Sequence, residues 1–226
     1  VYREAPPPER LRQAVRCLWW AELSGAKRIV PDGCLDLMVG GGQVFVAGPD
    51  TRAWDTTAPR GARLHGIRFR PGHAPRVLGV AADELRDQRV DLADLWGRPG
   101  ARAAERLLER PSLLAEVVAG NLREPDDPEV GVLLARLDAG APRVAAALSG
   151  IAVSERQLRR RFTLAVGYGP ATYLRVTRLQ RALAAVRHTA DLAALAAESG
   201  YADQAHLSRD CRELTGQTAR AFFARP

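Results

Sequence analysis

Ser154-Glu155-Arg156-Gln157-Leu158-Arg159-Arg160-Arg161-Phe162 contains both the start of a helix and the assignment of its two faces. Ser154 followed three residues later by Gln157 has the spacing of a capping box: the serine hydroxyl accepts from the Gln157 amide and the glutamine side chain reaches back. Leu158 and Phe162 lie four apart and share a face that Ala165 and Val166 continue, so that face packs inward. Arg156, Arg160 and Thr163 then point outward, with Arg159 on their flank. The planar fork of arginine matches guanine edges in the major groove, or phosphates. An arginine row alone is usually just a solvated face. Here a short helix over Val144–Ser149 and a tight turn over Gly150–Val153 precede it, which is the layout of a helix-turn-helix unit.

The layout recurs. Leu192, Leu195 and Ala196 form an apolar stripe that ends at Ser199-Gly200, where glycine supplies a left-handed turn. Tyr201 returns to the core, Asp203 is a good N-cap, and Leu207, Cys211 and Leu214 make the buried face of the next helix. Opposite them lie Ala205, Ser208, Arg209 and Arg212, with Gln204 in the first turn. Cys211 reads as a small core residue, and His206 as a polar surface or phosphate contact. Between the units, Tyr173, Leu174, Val176, Leu179, Ala182, Leu183 and Val186 follow Pro170 at helical spacing. A helix from Ala171 to Arg187 would be roughly 25 Å long. Such a spacer could hold the two arginine-bearing helices about one duplex turn apart, roughly 34 Å.

These pieces resemble the AraC/XylS family of transcription regulators from about Val144 to Phe223. The resemblance rests on the nine residues quoted, on Gly167-Tyr168-Gly169-Pro170 with Tyr173-Leu174, on Arg178-Leu179-Gln180-Arg181-Ala182, on Gly200 through Arg209 and on Leu214-Thr215-Gly216. It implies an all-helical DNA reader of two helix-turn-helix units joined by a long helix. Base contacts would fall on Arg156, Arg159 and Arg160 in the first unit and on Gln204, Ser208 and Arg209 in the second. Ala152, Leu148, Cys211 and Ala219 depart from residues usual in the family, chiefly affecting packing in the first unit.

Toward the N-terminus the pattern changes. Arg28–Val30, Leu35–Val39 and Gln43–Ala47 read as short strands separated by Pro31-Asp32-Gly33 and Gly40-Gly41-Gly42, and His65–Arg70 has period-two alternation. Helical spacing takes over after Pro71-Gly72. The acidic, twice-prolined Glu124–Glu129 stretch can be neither helix interior nor buried strand. The expected class is therefore α+β: a β-rich sensor or dimerisation domain over 1–122 with short helices, a linker over 123–129, and a helical domain over 130–226. Val30–Leu37 and Phe69–Gly72 also resemble the sensor half of one AraC-type subgroup, which implies a cupin-like fold. Trp19, Trp20, Cys34 and Trp54 are candidates for an effector pocket. Large aromatics in a small β domain are also ordinary core, and a redox or electrophile-sensing role for Cys34 stays open.

The formal charge is +7, carried by arginine with Lys27 as the one lysine, which favours an anionic partner; a GC-rich genome would bias composition the same way. Cys17, Cys34 and Cys211 form no CxxC pair, and His65, His73, His188 and His206 are not clustered, so no metal site, cofactor or enzyme chemistry is expected. Apolar runs fall short of the roughly 18 residues of a membrane span, and the N-terminus lacks the apolar segment of an export signal. The expectation is a cytoplasmic regulator with double-stranded DNA as partner. RNA polymerase, a small-molecule effector and a second copy of the chain are further candidate partners, and a helical half that contacts protein instead of DNA is the competing reading.

Overall fold

The computed structural model describes residues 1–123, 126–189 and 191–224, with Ser24, Ala58 and Arg60 described by their backbone alone. The N-terminal half is built on a six-stranded antiparallel sheet: β1 (Tyr2–Ala5), β2 (Val15–Ile29), β3 (Asp36–Gly40), β4 (Gln43–Ala47), β5 (Trp54–Phe69) and β6 (Arg89–Asp91), in the spatial order β1-β2-β5-β3-β4-β6. The expected strands at Arg28–Val30 and His65–Arg70 are only the ends of β2 and β5. These two long strands pair from Val15 opposite Phe69 to Ile29 opposite Trp54, with register shifts near Cys17 and Gly25. Pro59 and Gly61 sit where the ladder is interrupted: Ala58 pairs with Gly25 and Ala62 with Leu23, and the register steps over the residues between.

Strand alternation sorts the side chains into two layers. Leu37, Val39, Val44, Val46, Ile67 and Phe69 face a core closed by helices α1 (Pro75–Leu78), α2 (Leu92–Trp96), α3 (Arg98–Glu109) and α4 (Leu114–Asn121). Cys17, Trp19, Ala21, Met38 and Leu64 line the other face.

The C-terminal half is helical: α5 (Pro128–Asp138), α6 (Val144–Leu148), α7 (Glu155–Val166), α8 (Pro170–Ala185), α9 (Leu192–Glu198), α10 (Gln204–Thr215) and α11 (Ala219–Phe222). Its core is separate, built from Leu133, Leu137, Leu158, Phe162, Tyr173, Leu179, Leu195, Leu207 and Leu214 among others. Of the expected linker, Glu124 and Pro125 lie outside the described residues; Asp127 caps α5 by accepting from the Val130 amide at 3.0 Å. Helix α8 spans 16 residues, which at 1.5 Å each is about 24 Å.

Several arginines serve this scaffold. Arg136 donates to the carbonyls of Ala147 and Ser149 at the end of α6, and Arg181 to that of Leu137 at the end of α5. Both satisfy helix-terminal carbonyls that have no partner within their own helix, with a cation at the negative end of the dipole.

Candidate nucleic-acid interface

The first reading helix is set up locally much as its sequence implies. Ser154 Oγ accepts from the Gln157 amide at 3.3 Å. The return half of the capping box differs: Gln157 Oε1 accepts from the Ser154 hydroxyl at 2.9 Å and not from its backbone amide. Leu158 and Phe162 are buried. Arg156 and Arg160 are exposed, and their side chains have no hydrogen bond or ion pair among the described residues. Arg159 is half-exposed and is occupied by Glu155, with Nη2 2.6 Å from its carboxylate. Thr163 is half-buried and donates its hydroxyl to the Arg159 carbonyl at 3.0 Å. Arg159 and Thr163 are thus less available to a ligand than the sequence implies, since each must exchange an internal contact first.

In the second unit, Asp191 caps α9 through the Ala193 and Ala194 amides, and Asp203 caps α10 through the His206 amide at 2.7 Å. Leu207, Cys211 and Leu214 face inward; Gln204, Arg209 and Arg212 are exposed and Ser208 is half-buried. His206 is not a free surface group. Its ring packs edge-on against Tyr201 at 5.1 Å and its Nδ1 accepts from the Ala202 amide, so it braces the turn. Arg175 on α8 bridges to Asp210 and Glu213 on α10, tying the connector to the second reading helix.

Charge is segregated in a way the whole-chain total conceals. Residues 130–226 contain 14 arginines against 7 carboxylates, and residues 1–129 are balanced, so the full charge of +7 sits on the helical half. A count by halves would have revealed this from sequence, and it weakens the genome-composition explanation, which acts on both halves alike.

In the N-terminal half, the second face of the sheet borders a cavity of about 350 Å³ lined by Trp19, Cys34, Met38, Phe45, Trp54 and Leu64 among others. Trp20 is a correction: one residue along β2 from Trp19, it points to the opposite side of the sheet and is 39% exposed. Trp19 lies flat because β5 has glycine beneath it; a Cβ on Gly66 would come within 2.3 Å of the indole. At the polar end, Trp19 Nε1 donates to Asp36 Oδ1 at 2.7 Å, and Arg68 Nε lies 3.2 Å from Asp36 and 3.5 Å from Asp32. Burial pushes the Asp36 carboxyl up to about 6 despite Arg68 beside it. Burial also raises the Cys34 thiol well above its ordinary range. That environment disfavours the thiolate, the form a redox or electrophile sensor would use.

Among the described residues no group of three or more His, Cys, Asp or Glu is placed to hold a metal ion, and no helix is long and apolar enough to cross a membrane. Residues 149–225 match the family described as a helix-turn-helix domain, and residues 3–91 match one described as a domain of unknown function (DUF6597). No curated protein matches the chain. In overall fold the chain is similar to ToxT from Vibrio cholerae, with 7% identity, a TM-score of 0.50 and coverage of 98% of this chain and 97% of that one. A further structure, ToxT from Vibrio cholerae O395 bound to (E)-4-(8-methylnaphthalen-1-yl)but-3-enoic acid, has 8% identity, a TM-score of 0.47 and coverage of 91% and 96%.

Proposed function

We propose that this chain, whose residues 149–225 match a helix-turn-helix domain, is a sequence-specific transcription regulator of the AraC type whose N-terminal half binds a small-molecule effector. One observation carries the DNA reading: the charge surplus lies wholly on the helical half, where Arg156 and Arg160 of α7 and Arg209 and Arg212 of α10 are exposed with no internal partner among the described residues. These four, with Gln204 and Ser208, are the proposed groove-facing set; Arg159 and Thr163 join it only by giving up their internal contacts. The cavity supports the effector half of the reading. Its aromatic walls and one polar end suit a compact amphipathic molecule whose head hydrogen-bonds at Arg68 and Asp36. The activity is binding and not catalysis, exercised in the cytoplasm where the chromosome is, with 1–122 as sensor and 130–226 as reader.

Salt tests the reading. Each arginine that neutralises a phosphate contributes about −0.9 to the log–log slope of affinity against salt, so a face this rich in arginine, making about four such contacts around its groove-facing set, should give about −3 to −4 on duplex DNA. Titrating a labelled duplex, selected by the protein from a random pool, between low and moderate salt measures that slope. A flat response would favour a protein partner for the helical half.

A further inference from the structure

The turn joining β4 to β5, Gly48–Ala53, leads directly into Trp54. Its side toward the helical half makes two contacts, one to each reading helix. The Pro49 ring packs on Gly167, the C-cap of α7; a Cβ at Gly167 would come within 2.3 Å of that ring, and with φ at +99° the position already favours glycine. Four residues later, the Ala53 amide donates to the Leu214 carbonyl at 2.6 Å. Leu214 is in the last turn of α10, where helix carbonyls have no partner in their own helix, so the sensor domain supplies the missing donor.

The turn itself is stiff. The Gly48 amide donates to the Gln88 carbonyl, and the Pro49 carbonyl accepts from the Asp87 amide. Asp87 takes both the amide and the hydroxyl of Thr51, at 2.7 and 2.8 Å. Asp50 is held by a two-pronged pair with Arg89 and by Trp54 Nε1, and the Arg89 guanidinium lies 4.0 Å from the Trp54 ring. A segment fastened this closely to its own domain transmits position and does not absorb it.

We infer that Gly48–Trp54 is a brace that fixes the pose of α7 relative to α10 and thereby sets the half-site spacing the protein accepts on DNA. The spacing part rests on the DNA reading proposed above; the geometric part does not. Within the helical half α7 is held by the Phe162–Tyr173 ring contact with α8 and by Arg161 at the start of α5, and Arg175 ties α8 to α10; among the described residues no hydrogen bond or ion pair runs directly from α7 to α10. The brace supplies that direct span from outside the helical domain, with the Ala82 carbonyl backing Gly167 beside Pro49. Asp50 and Trp54 also line the cavity, so the element that positions the readers is part of the effector chamber wall.

The test uses the full chain with nitroxide labels at L164C on α7 and A205C on α10, both exposed, the native cysteines being buried. Pulsed dipolar spectroscopy reads the label-to-label distance. Ala53→Pro removes the donor to Leu214, and Pro49→Gly removes the ring on Gly167. Thermal melts establish that each variant is folded, and Pro49→Gly decides the matter if Ala53→Pro is not. The expected result is a distribution about twofold wider than wild type, as when a fixed seam becomes a mobile one. On a selected duplex, one inserted base pair between half-sites should cost wild type about tenfold in affinity and the variants less than about threefold. Folded variants with the wild-type distribution would overturn the brace. If wild type selects no duplex, the DNA reading fails and the label distances alone decide the brace.

Discussion

Replacing Arg160 and Arg209 together by alanine is expected to weaken binding to a selected duplex by about thirtyfold to twenty-thousandfold, with the fold intact. Each arginine that reads a base edge bidentately is worth about 1–3 kcal/mol. The two belong to different helix-turn-helix units and share no partner among the described residues, so their losses should add. Neither side chain has a hydrogen bond or ion pair there and both are exposed, so truncation leaves no buried group unsatisfied and the melting temperature should not move. Arg161 makes the contrast. It neighbours Arg160 but is engaged by Asp127 and Glu129 at the start of α5. Its loss should therefore lower stability rather than discriminate among DNA sequences. Binding isotherms and melts of Arg160→Ala, Arg209→Ala and the double variant check this; unchanged affinity in all three would remove the groove-facing assignment.

Arg68→Met should lower the stability of the N-terminal half by about 3 kcal/mol at pH 7.5, the scale of breaking a buried pair from one side. The substitution leaves Asp36 and Asp32 close together without the cation that now lies between them. The deficit should depend on pH in a definite direction. The Asp36 carboxyl in the folded wild type is pushed up to about 6, above its value in the unfolded chain, so folding favours its protonated form. Its contribution to stability is therefore full at pH values below the unfolded carboxylate range and is lost as pH rises through about 6. Without Arg68 the folded value rises further, so the loss continues to higher pH. Wild type and variant should melt most alike near pH 4 and diverge toward pH 8. A deficit independent of pH would mean that Arg68 matters for packing and not for charge.

The helical half was legible because its signals are local. A cap, a turn glycine and a face repeated every three or four residues each announce themselves within a dozen positions, and α7 and α10 begin where Ser154 and Asp203 imply. Much of the sheet was not legible in this way. The middle of β5 contains Pro59 and Gly61, which locally say loop and do interrupt the ladder; the strand runs on past them because β2 pairs on both sides, at Ala58 and at Ala62. The site shows the same division. Which arginines point outward follows from 100° per residue; that Glu155 occupies Arg159, or that Arg136 and Arg181 cap helices elsewhere, depends on contacts no periodicity encodes. Trp20 is the instructive miss, since choosing tryptophans by type ignored the alternation that separates it from Trp19.

The segment after β2 divides its duties residue by residue. Asp32 and Cys34 line the chamber, while the Pro31 carbonyl accepts from Gln180 on α8 at 2.6 Å and a Cβ on Gly33 would lie 3.0 Å from the Tyr173 ring. From Pro31 to Cys34 the two duties alternate, and Val30 just before them serves both, lining the chamber and packing against the core of the helical half. Asp32 also accepts from the Cys34 amide at 3.0 Å, so the four residues from Pro31 to Cys34 form one stiff unit: a ligand that displaced Asp32 or Cys34 would carry the Pro31 and Gly33 contacts with α8 along.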